Sequence, residues 1–141
     1  MPSGVQRSSL RTCLAEVFRP GPIELSCDSP YFVLFDIARP LRLLDLADSS
    51  WTTQAGGNTA ICSGLRSTAR DWSRAIYRHY PDVDGLYYLC SHDSSARSVA
   101  LYERAHDALP VAPTFNRALN DPALRAAVES YATELGLELL A

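Results

Sequence analysis

The chain has 141 residues, a formal net charge of −3, 47% hydrophobic and 21% charged residues, which suits a globular protein with one buried core. That balance implies no basic surface for nucleic acid. All 13 cationic residues are Arg, which excludes Lys Schiff-base chemistry and a Walker-type phosphate loop but leaves bidentate anion binding open.

The start lacks a secretory h-region, and no apolar run is long enough to span a bilayer. A cytoplasmic protein with no membrane partner is expected. Cys13, Cys27, Cys62 and Cys90 form no CxxC pair and have no zinc-like spacing with His, so neither a metal site nor a disulfide framework is expected.

Ser8 and Ser9 are candidate N-caps. Leu10, Cys13, Leu14, Val17 and Phe18 recur at helical spacing, predicting an amphipathic helix of about two to three turns with Cys13 as a small core residue. RPGP (Arg19 to Pro22) ends it. On this stripe Glu16 points away from the core beneath the helix.

YFVLFDI (Tyr31 to Ile37) is a continuous apolar run rich in aromatic and β-branched residues and predicts a buried strand. RPLRLLDL (Arg39 to Leu46) predicts another. The stretch from Ser49 to Gly64 has loop composition and no phosphate-binding glycine fingerprint. Leu65, Ala69, Trp72, Ile76 and Tyr80 share one face of a second helix. Arg66, Arg70, Arg74 and Arg78 form a row on an adjoining face, which is either solvated or a dock for an acidic partner.

Pro81 ends that helix and DVDG makes a turn. LYYLC (Leu86 to Cys90) and SVALYE (Ser98 to Glu103) predict strands around SHDSSAR, and a connection through Pro110 and Pro113 follows. Asp121 and Pro122 open a last helix with Leu124, Ala127, Val128, Tyr131 and Leu135 on its apolar face. Gly136 stops it, and LELL is a closing strand or a frayed tail. The expected fold is mixed α/β (α+β): one compact domain over residues 1–141, with short strands and about three helices.

Cys90, Ser91 and His92 at a strand end suggest a nucleophile cluster, yet all three are ordinary loop residues. The segments CLAEVF (Cys13 to Phe18), LRLLDLAD (Leu41 to Asp48), ARDWSRAIYRHYPDVDGLYYLCS and VALYERA together resemble, in order and spacing, the RES domain family. The resemblance implies an ADP-ribosyltransferase-like RES fold. It also implies cleavage of NAD at the nicotinamide–ribose bond, with NAD as substrate and no metal, in a toxin held by a helix-turn-helix antitoxin.

Glu16 takes the family's Glu position and would stabilise an oxocarbenium-like state. Cys90 falls where the family has Ser, with Ser91 one step later on the opposite side by strand alternation. Tyr88 or Tyr31 would stack on a ring, with His92 beside the nucleotide. The family's Arg-containing segment is not found: Arg7 and Arg11 lack the motif around them. The expectation is therefore a start that lies upstream or an incomplete site, with an exposed sheet edge that a homodimer would cover. Two rival readings are a catalytically impaired module that binds an antitoxin or other protein, and a small hydrolase using Cys90 and His92.

Overall fold

The computed structural model describes residues 4–26, 30–58, 66–93 and 95–140, with side chains from residue 9 onward. The chain is mixed α/β, with short strands in small sheets, as expected. Two compact units divide it, residues 1–36 with 111–141, and residues 37–110.

The first unit is built on two helices. Helix α1 (Gly4–Phe18) is longer than its apolar stripe predicts, and Ser8 and Ser9 lie inside it rather than capping it. Its buried residues are Leu10, Leu14 and Ala15, whereas Cys13 is exposed and Val17 is 67% exposed. The expectation of Cys13 as a core residue is therefore corrected. Periodicity fixed the spacing of the stripe but not its rotation, which turns toward Ala15.

Strands β1 (Ile23–Glu24) and β2 (Tyr31–Leu34) follow. The Tyr31–Ile37 run is neither buried throughout nor a strand to its end: only Phe32 is buried, and Phe35 and Ile37 are exposed.

The unit closes with strand β6 (Phe115–Ala118), helix α4 (Pro122–Leu135) and strand β7 (Leu139–Leu140). β6 lies in the segment expected to be a bare connection and pairs antiparallel with β2, Phe32 opposite Arg117. LELL is a strand end, with β7 parallel to β1. The caps of α4 behave as their residue types require. The Asp121 carboxylate accepts from the Ala123 amide at 2.8 Å, with Pro122 at the first turn. Gly136 takes the left-handed conformation (φ 68°), and the Leu137 amide donates to the Ala132 carbonyl. Leu124, Val128, Ala132 and Leu135 of α4 pack with Leu10, Leu14 and Ala15 of α1 in one core.

The second unit holds strand β3 (Leu43–Asp45), the short helix α2 (Trp51–Gln54), helix α3 (Arg66–His79), strands β4 (Gly85–Leu89) and β5 (Arg97–Leu101), and a 3-10 helix (Glu103–Ala108). The strand expected over Arg39–Leu46 is shorter at both ends. The loop expected over Ser49–Gly64 contains α2, and its part from residue 59 on, like Leu65, lies outside the described residues. Glu103 belongs to the 3-10 helix rather than to the strand before it. β4 is the central strand, parallel to β3 and antiparallel to β5. Among the described residues no helix is long and apolar enough to cross a membrane.

Candidate functional site

Strand β4 aims alternate side chains at α3. Leu86 and Tyr88 line a cleft against Ala69, Trp72, Ser73 and Ile76, which recur at the i, i+3, i+4, i+7 spacing of one helix face. Ala100, opposite Leu86 on β5, leaves room there. Arg70 is the cation on the lining. The cleft holds about 300 Å³, the lower end of the range for small-molecule pockets, and like them it is mostly apolar with few polar groups.

Two arrangements hold its walls. The first centres on Asp84 of the DVDG turn, only 7% exposed. Its carboxylate accepts two hydrogen bonds from the Arg39 guanidinium, at 2.9 and 2.8 Å, and one from the Arg42 amide at 2.8 Å. Arg39 also reaches Asp107 at 2.8 Å. These bonds, the Arg39 pair first, hold the Asp84 carboxyl down to about 2, outweighing its desolvation. Asp107 is lowered by the same guanidinium, and Arg39 is held more firmly charged. The turn that starts β4 is thus tied to the segment before β3 and to the 3-10 helix.

The second arrangement ends α3. Arg104 donates to the Tyr77 carbonyl at 2.9 Å, to the Tyr80 carbonyl at 3.0 Å and to the Pro81 carbonyl, satisfying carbonyls that a helix end leaves open. Its guanidinium lies 3.7 Å above the Tyr77 ring, a cation–π contact. The Tyr77 hydroxyl donates to Glu103 at 2.5 Å and lowers its carboxyl. The Tyr102 hydroxyl reaches the Ser73 carbonyl at 2.9 Å.

Past the cleft, β4 runs into Cys90. This side chain is 4% exposed, and its sulfur lies 2.9 Å from the Ser98 hydroxyl across the hairpin. The Cys90 amide donates to the Ala96 carbonyl at 3.3 Å, extending the pairing one residue beyond the strand. Ser91 and His92 are exposed. Alternation therefore persists through Cys90 and Ser91, which face opposite environments.

On the outer face Arg97 bonds Asp48 at 2.8 Å, which lowers the Asp48 carboxyl. Of the sequence-predicted residues, the structure gathers Tyr88 and Cys90 on one side of the hairpin and turns Ser91 and His92 to solvent.

Glu16 and Tyr31 belong to the other unit. Glu16 stands in the last turn of α1, half-buried although it is opposite the core stripe. Tyr31 opens β2 and is 65% exposed.

Sequence reasoning missed Ser98 as the partner of Cys90, because the two are joined only by the register of the hairpin. It placed Arg70 in a surface row and Trp72 on a helix face. Their meeting with Tyr88 needs the packing of α3 on the sheet.

The RES domain family model matches residues 8–129, most of the chain. The chain belongs to the RES domain family. No curated protein and no solved structure matches it. In this RES domain the match spans Glu16, Tyr31, Tyr88, Cys90, Ser91 and His92.

Proposed function

We propose that this RES domain consumes NAD by breaking the nicotinamide–ribose bond. The observation that carries the reading is the family match across Glu16, a half-buried residue on the side of its helix away from the hydrophobic stripe. A carboxylate on the non-core side of a helix is not needed to fill the core, and partial shielding strengthens its field.

The electron pair of the C–N bond leaves with nicotinamide, which departs neutral because its ring nitrogen was cationic. Positive charge develops on the ribose. Glu16 stabilises that charge and orients the acceptor, which is water, phosphate or a protein nucleophile. In the second unit, taken by itself, Tyr88 lines the α3 cleft and offers a ring face for a nucleotide. Cys90 and Ser98 supply a small polar pair at the end of the hairpin. A thiol is the weaker donor of the two, so polar contact there falls mainly to Ser98.

The buried position of Cys90 and the exposed position of His92 disfavour the hydrolase reading. A helix-turn-helix antitoxin is the proposed protein partner, and no direct contact with nucleic acid is proposed. Incubation of the purified protein with NAD, with chromatographic detection of free nicotinamide, tests the reading. Release is expected. Absence of both release and NAD binding would favour a module that keeps the fold and binds a partner protein.

A further inference from the structure

The cations of the second unit are unequally engaged. Arg39 is held by Asp84 and Asp107, Arg97 by Asp48, and Arg104 by three backbone carbonyls. Arg74 has a looser pair with Asp71 at 3.6 Å. Arg70 has no acidic or hydrogen-bonding partner among the described residues. It is exposed, yet it lines the cleft whose walls are Trp72, Tyr88 and aliphatic side chains. A guanidinium at the edge of an aromatic, mostly apolar slot suits a planar ring joined to an anion. A volume of about 300 Å³ suits one base, its ribose and one phosphate rather than a whole dinucleotide.

We propose that the cleft between α3 and the β3–β4–β5 sheet is a mononucleotide subsite, with the base against Tyr88 and Trp72 and the phosphate on Arg70. That the bound nucleotide is one half of NAD rests on the reading above, whereas the subsite itself rests on the cleft. Arg70 acts by bidentate hydrogen bonding to phosphate oxygens. Its loss should weaken phosphate-bearing ligands by about 10- to 100-fold, as for other bonds to charged groups.

Calorimetry on the full chain would compare AMP, adenosine and ribose 5-phosphate. Arg70→Gln should weaken AMP by that factor and leave adenosine within twofold, and Arg70→Lys should recover part of the loss. Tyr88→Ala should weaken AMP and adenosine alike. Arg70 is exposed, so the melting temperature of Arg70→Gln should match that of the wild type.

AMP that fails to bind at millimolar concentration, or binds Arg70→Gln as tightly as wild type, overturns the subsite. Nicotinamide release from NAD is measured separately. Release with unchanged AMP binding in Arg70→Gln overturns the subsite alone. Arg70-dependent AMP binding without release upholds the subsite and overturns the NAD reading.

Discussion

Gly85 opens the strand that carries Tyr88, and Gly85→Ala tests the close packing of β4 on β5. A Cβ added there would lie 2.3 Å from the Ala100 carbonyl oxygen and 3.1 Å from both the Ala100 carbonyl carbon and the Leu101 Cα. Carbon–oxygen contacts of this kind settle at about 3.3 Å or more, so β4 and β5 must part by about 1 Å. All three atoms are backbone, so no rotamer change relieves the clash. β4 is also paired on both sides, Gly85 with Leu43 and with Leu101.

Overpacking costs about 1–3 kcal/mol and each weakened ladder bond about 1 kcal/mol. The loss of chain entropy in the unfolded alanine variant returns about 0.4–1 kcal/mol. The net is about 2–4 kcal/mol, a fall of roughly 5–15 °C in melting temperature. Gly56→Ala is the control: Gly56 has φ 81° with nothing within 4 Å, so only backbone strain of about 1–2 kcal/mol applies. Thermal and urea unfolding followed by circular dichroism measure both. A Gly85→Ala protein melting within 2 °C of wild type (order of ~1 kcal/mol or less) would refute the reasoning.

Acid should loosen the second unit through Asp84. Its carboxyl titrates at about 2 when folded, against 3.8 unperturbed, so the unfolded chain takes up the proton first. The stabilisation is complete above the unperturbed value and disappears as pH falls from there toward 2. The urea midpoint should drop across that window, and Asp84→Asn should start lower and drop less. Arg104→Ala should cost about 1–3 kcal/mol by uncapping α3, and Arg104→Lys should recover only part, since an ammonium lacks the planar fork. A thiol reagent read out by peptide mass spectrometry should modify Cys13 rapidly and Cys90 only on unfolding, because Cys13 is exposed and Cys90 is buried. Equal rates in the native protein would contradict the placement of Cys90.

The parts of the fold that local chemistry dictates were legible in the residues. Asp121, Pro122 and Gly136 bracket α4, and Leu124 and Val128 mark its buried face. The stripe Ala69, Trp72, Ile76 marks the side of α3 that meets the sheet. What was not legible depends on long-range packing. Cys13 and Val17 share the spacing of the α1 stripe but fall outside its buried arc, which packing against α4 and the strands of that unit sets. Tyr31 and Phe35 look like core residues and lie exposed, because hydrophobicity alone does not separate inside from outside. β6 pairs with β2 within a segment that two prolines made resemble a plain connection.

The candidate site divides in the same way. Glu16 and Tyr88 could be named from their motif neighbours. The Arg39–Asp84 clamp joins residues 45 positions apart, and the Cys90–Ser98 contact requires a register across a loop. No local pattern encodes either. The Arg row looked uniform along the helix, yet Arg70 lines the cleft with Tyr88, whereas Arg74 and Arg78 line another beside Tyr77, Tyr102 and Glu103.

The most direct test of NAD consumption is the rate of nicotinamide release from NAD by wild type and by Glu16→Gln. Wild type should release nicotinamide. Glu16→Gln, nearly isosteric but neutral, should fold as wild type does and release it at least about 100-fold more slowly, the scale of removing one preorganised electrostatic group. Release that persists undiminished in Glu16→Gln, or wild-type protein that neither binds NAD nor releases nicotinamide, would contradict the account.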